Sequence, residues 1–365
     1  MGFSCGIVGL PNVGKSTLFN ALTNSQNAKA SNFPFCTIEP NKAIVEVPDN
    51  RLFKISKIEK SKNIIPTQLN FIDIAGLVKG ASKGEGLGNK FLSHIKEVDL
   101  ILHVIRCFEE ENIDHVEKSL DPIRDMKIIE DELILSDLVS AEQQLQKLKK
   151  EINKDKNNEE KILILEKIIS NLESNGSIKD INFNEDEKKI VKTFNLISTK
   201  PKIFISNLSE KENLKENKYI DLLKKELNNH DAIIIPISAE IESQIAQLEN
   251  EKEKNEFLNS LGWDNSGLDR IIKCSYIKLD LITFFTAGEK ETRAWTVKKN
   301  SSAPNAASVI HTDFKKGFIC AETMSYEDYI KYGGSKGAKE NGKIRQEGKE
   351  YLVKDGDIIH FLFNV

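Results

Sequence analysis

The sequence predicts an α/β protein with a doubly wound, mainly parallel sheet, an inserted α-helical coiled-coil hairpin and a small α+β module at the C-terminus. Three observations predict this architecture. Short apolar runs alternate with helical patterns through most of the first 280 residues, which is typical of a parallel sheet covered by helices on both faces. A long central stretch keeps apolar residues at helical spacing. After about residue 281 the pattern changes to short strands and turns.

Six short runs are predicted to form the strands of the main sheet. They cover residues 3–8, 42–47, 67–72, 99–106, 201–206 and 232–236. The last three runs are almost continuously apolar, as expected of strands buried between helices. Ligands of a doubly wound sheet bind at the carboxyl ends of its strands, so we expect a site in the segments that follow these runs.

Residues 128–198 are predicted to form a helical insertion within the sheet domain. Leucine and isoleucine recur at roughly helical spacing up to residue 152, a polar break follows at 153–158, and the pattern resumes at 162–172. Two long helices folded back as an antiparallel hairpin account for this pattern. The charged faces of the hairpin are either simply solvated or form an arm that docks on a partner.

Residues 281–365 are predicted to form a separate module, which leaves residues 1–280 as the first domain. Strands are expected at 282–285, 293–297 and 315–322, separated by turns that contain Gly or Ser. Residues 351–361 are interpreted as a strand, an Asp-Gly-Asp turn and a second strand.

Composition gives no sign of export or of bulk attraction to nucleic acid. The net charge of −4 argues against DNA binding. Residues 281–365 contain 13 Lys and Arg against 11 Asp and Glu, so any surface that contacts RNA is expected in this part of the chain. The five cysteines are scattered without a CxxC pair, which disfavours a zinc site or a disulfide framework. We see neither a leader-like segment nor an apolar run near the roughly 20 residues of a membrane span. The phosphate-loop motif described below, together with the free thiols, leads us to expect a cytoplasmic protein, and no membrane association is expected.

The segment from Gly9 to Thr17, GLPNVGKST, lies between the first predicted strand and a helical pattern. This is the spacing and context of a GxxxxGK[ST] phosphate loop, in which backbone N–H groups surround a phosphate at a helix N-terminus. Lys15 is expected to reach the β- and γ-phosphates and to act in catalysis, and Ser16 to ligate Mg²⁺. The predicted nucleotide-binding residues of this loop are Asn12, Val13, Gly14, Lys15, Ser16 and Thr17. A turn that binds nothing is the alternative, and the intact motif between both flanking elements disfavours it.

A second group of phosphate and metal ligands is predicted after the strand at 67–72. Asp73, at the end of that strand, can hold the water shell of Mg²⁺. Gly76 can offer its N–H to a γ-phosphate, because a residue without a Cβ allows close approach. Residues 79–89 contain four glycines and two lysines, and we interpret them as a mobile loop that senses the γ-phosphate.

The segment Asn207–Glu210 follows the strand at 201–206, where a GTP-binding protein of this architecture carries Asn-Lys-x-Asp. Here it reads Asn-Leu-Ser-Glu, so the Lys that packs on guanine and the Asp that accepts from its N1–H and N2 amine are both replaced. Adenine has no N2 amine, and losing a hydrogen-bonded discriminator strongly reduces selectivity. The sequence therefore predicts that ATP is preferred over GTP. The predicted base-contacting residues are Asn207, Leu208, Glu210, Ser238 and Ala239. An ordinary strand-to-loop turn is the alternative for this segment.

Several long blocks resemble the Obg-like ATPases of the YchF subfamily. They are the phosphate loop at 9–17, NFPFCTIEPN at 32–41, DIAGLVKGASKGEGLGN at 73–89, NLSE at 207–210 and EGKEYLVKDGDIIHF at 347–361. The resemblance covers essentially the whole chain and implies a P-loop NTPase domain of the translation-factor class, a coiled-coil insertion and a C-terminal TGS domain. It also implies ATP as the preferred nucleotide and association with ribosomes. Thr37 is implied as an Mg²⁺ ligand together with Ser16, with Asp73 behind the metal.

The group that activates water is left open by the sequence. Leu77 stands where many GTPases carry the glutamine that orients the attacking water, so another group must act or turnover must be slow. The resemblance points to His115, whose neutral imidazole could position water over the γ-phosphate. A bound K⁺ is the alternative, because Asn12 is placed as in potassium-stimulated relatives.

Two functions are compatible with these residues, and a third ranks behind them. The first is an Mg²⁺-dependent ATPase. The second is a ribosome-binding module whose loops are set by ATP, with hydrolysis only as a slow timer, and Leu77 favours this role. The third is an ordinary Obg-type GTPase. The TGS domain, with its lysines Lys331, Lys336, Lys339 and Lys343, and the helical insertion are the expected contact surfaces for the ribosome.

Overall fold

A computed structural model of the chain describes residues 2–30, 41–74, 87–109, 119–151, 157–174, 176–212, 217–227, 232–248 and 250–364. Contacts divide the chain into two units. The first contains residues 3–43 and 70–268, and the second contains residues 44–69 together with the chain from residue 269 onward. The domain boundary near residue 280 stays a prediction, and the contacts additionally group residues 44–69 with the C-terminal part.

Within the described ranges, the strands in chain order are β1 (Ser4–Val8), β2 (Lys42–Glu46), β3 (Asn63–Ile65), β4 (Gln68–Asp73), β5 (Leu100–Arg106), β6 (Lys202–Asn207), β7 (Ile233–Ile237), β8 (Leu281–Thr286), β9 (Glu291–Lys298), β10 (Phe318–Met324), β11 (Arg345–Glu347) and β12 (Ile358–Phe363). The helices are α1 (Lys15–Ala30), α2 (Asn50–Glu59), α3 (Leu87–Glu97), α4 (Pro122–Lys150), α5 (Asn157–Glu173), α6 (Glu185–Thr193), α7 (Lys218–Leu227), α8 (Ala239–Gln247), α9 (Glu251–Ser260), α10 (Gly267–Lys278), α11 (Ala303–Ile310), α12 (Thr312–Lys316), α13 (Tyr326–Lys331) and α14 (Ser335–Glu340). None of the helices in this part of the chain is long and apolar enough to cross a membrane.

The main sheet has the strand order β2-β4-β1-β5-β6-β7. The pairs β1–β4, β1–β5, β5–β6 and β6–β7 are parallel. Every residue of β5 and β6 is buried, which is the reason for their nearly continuous apolar sequences. The predicted doubly wound sheet is confirmed, and each of its strands lies within one residue of its predicted position at either end.

The helical insertion is built on α4 and α5, which pack against each other. Leu165 of α5 is fully buried in a core that also contains Ala141 of α4. Helix α4 begins earlier than the leucine pattern suggests, because Asp121 caps it. The Asp121 carboxylate accepts from the N–H groups of Ile123 and Arg124, each at 3.1 Å, and satisfies donors that a helix N-terminus leaves unpaired.

The end of the insertion is tied to α4 just before the chain enters β6. Asp137 of α4 is fully buried and accepts from the N–H groups of Ile197 and Ser198, each at 2.7 Å. Burial raises the pKa of this carboxyl, and the hydrogen bonds from Ser198 and Ile197 oppose the shift. The contact fixes the place at which the insertion returns to the sheet.

The second unit contains a sheet with the order β11-β10-β12-β8-β9-β3. Strands β8 and β9 pair antiparallel, whereas β12 lies parallel to β8 and β3 parallel to β9. Successive residues of β8 face opposite sides: Phe284 shares a core with Ala306 of α11, and Phe285 shares one with Ile55 of α2. The α+β character predicted for this part of the chain is confirmed.

Two details of the predicted C-terminal module are wrong. Residues 351–354 do not form a strand, since only Leu352 makes an isolated bridge, to Ser302. The carbonyl of Tyr351 instead accepts from the N–H of Ala303 at 2.8 Å, at the start of α11. The second correction concerns β10, which begins three residues later than predicted because the chain before it forms α12.

Candidate functional site

The loop between β1 and α1 is shaped by residues with positive φ. Asn12 has a φ of 61° and Gly14 a φ of 97°, a region that Asn tolerates and Gly adopts readily. A Cβ on Gly14 would lie 2.2 Å from Nδ2 of Asn207. The glycine that the motif requires here therefore serves close packing as well as backbone conformation.

Lys15 begins α1, and its side chain is buried beside the loop. Nζ donates to the carbonyl of Leu10 at 2.6 Å. Burial lowers the pKa of Lys15 to about 8, and the Asp73 carboxylate opposes this shift. An anionic phosphate beside the Lys15 ammonium would raise the pKa of Lys15 again, so this environment favours binding of an anion.

Ser16 and Asp73 meet where β1 and β4 end. Oγ of Ser16 donates to Oδ2 of Asp73 at 3.5 Å. The other carboxylate oxygen, Oδ1, is buried and has no hydrogen-bond partner among the described residues. Burial raises the pKa of Asp73, while Lys15 and Ser16 oppose the shift. A hydroxyl and an unsatisfied carboxylate oxygen are hard oxygen donors of the kind that Mg²⁺ takes, so these residues fit the ion.

Asn207 joins the phosphate loop to the loop after β7. Its Nδ2 donates to the carbonyl of Val13 at 2.9 Å, and its Oδ1 accepts from the N–H of Ala239 at 2.9 Å. Ser238, just before Ala239, is buried, and its Oγ accepts from the N–H of Ile241 at 3.5 Å as the cap of α8. Asn207 thus joins the two loops, whereas Ser238 caps α8, and their predicted contacts with a base stay predictions.

Leu208 and Glu210 occupy different environments after Asn207. Leu208 is buried, and its N–H donates to the carbonyl of Ile237 at 2.8 Å. Glu210 is exposed, and its Oε1 accepts from Nε2 of Gln244 at 2.6 Å. Leu208 packs in a buried core with Leu223, so the more exposed side chains of this segment are those of Ser209 and Glu210.

A cavity of about 870 Å³ lies at the carboxyl ends of the main-sheet strands, within the roughly 300–1,000 Å³ typical of ligand pockets. The residues that line it are Asn12, Gly14, Lys15, Ser16, Thr17, Phe108, Glu109, Asn207, Leu208, Ser209, Glu210, Lys211, Ala239 and Glu240. The structure therefore brings the predicted phosphate loop and the predicted base-reading segment to one cavity. Val13, Asp73 and Ser238 are absent from this lining, so their predicted roles stay predictions.

Phe108 and Glu109 line the cavity although the sequence analysis did not select them. They follow β5 directly, and the rule that ligands bind at the carboxyl ends of strands could have found them. Thr37, Gly76 and His115 lie outside the described residues, so their roles stay predictions.

The loop that leads from β1 into α1, set in a parallel sheet of this order, places the first unit among the P-loop nucleotide-binding domains. Two family models match the chain. One, described as a 50S ribosome-binding GTPase, matches residues 4–168, and one named YchF-GTPase_C, described as a protein of unknown function, matches residues 281–364.

Full-length relatives extend these matches. The chain is 51% identical over 366 residues to the ribosome-binding ATPase YchF of Haemophilus influenzae and 50% identical over 368 residues to that of Bacillus subtilis, and each comparison covers 100% of both chains. A solved structure, described as the Schizosaccharomyces pombe YchF GTPase, matches 99% of this chain and 98% of its own, with a TM-score of 0.88 and 40% identity. The chain belongs to the YchF family.

Proposed function

We propose that this protein is a cytoplasmic, Mg²⁺-dependent ATPase that prefers ATP to GTP and whose nucleotide state controls its association with the ribosome. The observation that carries this proposal is the cavity, because the phosphate loop forms one part of its wall and Leu208 and Glu210 form another. The two bacterial relatives are named ribosome-binding ATPases, whereas the Schizosaccharomyces pombe relative is described as a GTPase. The identity of the base is therefore the first property to test.

The phosphate end of the cavity has the groups that a nucleoside triphosphate requires. Lys15 and the backbone N–H groups of the phosphate loop bind and orient the phosphates. Ser16 and Asp73 would hold Mg²⁺, with Thr37 as a further ligand and Gly76 offering its N–H to the γ-phosphate. When bound, Mg²⁺ neutralises charge on the phosphates.

The other end of the cavity is better suited to adenine than to guanine. Phe108 and Leu208 both line this end of the cavity, and the ring of Phe108 supplies apolar surface for a face of a purine ring. One oxygen of Glu210 accepts from Gln244, so a guanine that used both carboxylate oxygens for its N1–H and N2 amine would compete with this hydrogen bond. Adenine has no N2 amine, so it loses nothing when Glu210 is held in this way.

Hydrolysis is proposed to be slow and to serve as a timer for ribosome binding. Leu77 cannot orient water by hydrogen bonding, because its side chain is apolar. His115 is proposed to take this role, and a K⁺ ion held near Asn12 is the competing proposal. A slow intrinsic rate fits a switch whose output is binding to a partner.

Exchanging Leu208 for Lys and Glu210 for Asp together should move the base preference toward GTP. The Lys restores the residue that GTP-binding proteins of this architecture carry at this position, and the shorter carboxylate restores an acceptor for guanine N1–H and the N2 amine. Equilibrium competition in K⁺ buffer with Mg²⁺ should give ATP binding about tenfold or more tighter than GTP binding for the natural chain. In the double variant, the ratio of the two dissociation constants should shift by about tenfold or more.

Lys15→Ala is the matched control for this exchange, because both nucleotides carry the same phosphates. It should weaken ATP and GTP alike and leave their ratio unchanged. Tighter binding of GTP than ATP by the natural chain would contradict the proposed preference and favour the Obg-type GTPase alternative.

Reversing charge on the second unit should weaken ribosome binding, because contacts to RNA phosphates depend on Lys and Arg. The four lysines to replace with Glu are exposed on and around α13 and α14; they are Lys331, Lys336, Lys339 and Lys343. Co-sedimentation with ribosomes in the presence of ATP should fall severalfold. Replacing the two lysines Lys147 and Lys150, exposed at the end of α4, with Glu tests the helical insertion in the same assay. Reduced co-sedimentation with this second set alone would place the ribosome contact on the insertion. Unchanged co-sedimentation of both variants would contradict the proposal that either surface binds the ribosome.

A further inference from the structure

Arg106 is a buried arginine that lies directly against the wall of the nucleotide cavity. It ends β5 and is 3% exposed. Its Nε donates to the carbonyl of Phe108 at 3.1 Å, and its Cζ lies 4.6 Å from the centroid of the Phe108 ring. Arg106 therefore holds Phe108 twice, through the backbone and through the face of the ring.

Phe108 is part of the wall of the nucleotide cavity, so contacts that fix its ring bear on nucleotide binding. Phe108 lines the cavity together with Leu208, and both side chains are largely buried. A cation at 4.6 Å is within the roughly 6 Å range of a cation–π interaction, and the attraction is strongest where both groups are desolvated. A guanidinium on one face of the ring also draws electron density toward that face, which favours stacking of an electron-rich ring on the opposite face.

We propose that Arg106 is a positioning residue for the purine base, acting through Phe108. It fixes the Phe108 ring so that the face turned away from the guanidinium stacks on the base. This inference rests on the proposed function in requiring a purine nucleotide in the cavity, but it holds for ATP and GTP alike. Arg106 is buried and donates to the Phe108 carbonyl. Its proposed role therefore differs from that of Lys15, which is expected to bind the phosphates.

The test compares ATP with inorganic tripolyphosphate, both with Mg²⁺, by isothermal titration calorimetry on the full chain. Arg106→Met keeps the apolar stem and removes the cation, so it should raise the dissociation constant of ATP about five- to tenfold. The dissociation constant of tripolyphosphate, which has no base to stack, should stay unchanged. Arg106→Lys keeps the charge without the planar donor, so its ATP affinity should lie between those of Arg106→Met and the natural chain.

Arg293 provides a control away from the cavity, because its Cζ lies 4.0 Å from the centroid of the Trp295 ring in the second unit. Arg293→Met should bind both ligands as the natural chain does. Equal losses of ATP and tripolyphosphate affinity in Arg106→Lys, or no loss of ATP affinity in Arg106→Met, would overturn the proposal. Weaker binding of ATP than GTP by the natural chain would overturn only the proposed ATP preference, and Arg106→Met should then raise the dissociation constant of GTP by the same factor.

Discussion

Replacing Gly14 with alanine is expected to weaken ATP binding by roughly a hundredfold or more, about 2.7 kcal/mol. The new Cβ would lie 2.2 Å from Nδ2 of Asn207, far inside van der Waals contact. Asn207 cannot simply move away, because its amide is bonded to the Val13 carbonyl on one side and to the Ala239 N–H on the other. The phosphate loop must then separate from the loop after β7, which opens the cavity. Titration calorimetry with ATP and Mg²⁺ measures the effect.

Two variants separate this clash from backbone strain. Gly262 also has a positive φ, 69°, and a Cβ there would meet nothing within 4 Å. Gly262→Ala should therefore cost only about 1 kcal/mol of stability and leave ATP affinity unchanged. Adding Gly14→Ala to an Asn207→Ala background should have a much smaller effect than in the natural chain, because the clashing group is gone. A Gly14→Ala protein that binds ATP normally would show that the two loops are not held together by Asn207.

The parts of the site that the sequence predicts are those encoded by neighbouring residues. The phosphate loop depends on a spacing of a few positions between Gly9, Gly14 and Lys15, and the flanking apolar runs indicate the strand and the helix. The strands of the main sheet are equally local, because β5 and β6 are buried throughout and show nearly continuous apolar runs, whereas β2 and β4 show alternation. These features were predicted within a residue or two for that reason.

The parts that escaped prediction depend on contacts between distant positions. The two bonds of the Asn207 amide reach Val13, 194 positions away, and Ala239, 32 positions away. No short pattern around Asn207 encodes a clamp between loops, so the sequence indicates only a base contact. Strand β3 is similar: its three residues begin at Asn63, which pairs with Glu291 of β9. So short a strand has no periodicity of its own to detect.

A group of charges on α4 and the strands beneath it, two of them buried and one partly buried, was also missed. Glu130 of α4 forms an ion pair with Lys202 of β6, and its Oε1 lies 3.6 Å from Nδ1 of His103 on β5. Lys202 and His103 are both buried. Burial acts to raise the pKa of Glu130, but His103 and Lys202 outweigh it and lower the pKa to about 2. The insertion is thereby joined electrostatically to the two central strands that run to the nucleotide cavity.

Glu130→Gln is expected to destabilise the protein at pH 7 by about 3–5 kcal/mol, because it leaves the buried ammonium of Lys202 without its counter-charge. The effect should depend on pH. A carboxyl whose pKa is depressed in the folded state contributes stability above its ordinary pKa of 4.5, and the contribution is lost as the pH falls toward about 2. Urea unfolding at several pH values should therefore show the gap between the natural chain and the variant narrowing from pH 5 to pH 2.

Glu185→Gln is the matched control, since Glu185 forms an ion pair with Lys188 in which both side chains are exposed. Water screens such a pair, so the free energy of unfolding should not change measurably. Replacing Glu130 and Lys202 together with Leu and Met should recover much of the loss, because no unpaired charge remains buried. A gap between Glu130→Gln and the natural chain that stays constant from pH 5 to pH 2 would mean that Glu130 acts through packing and not through its charge.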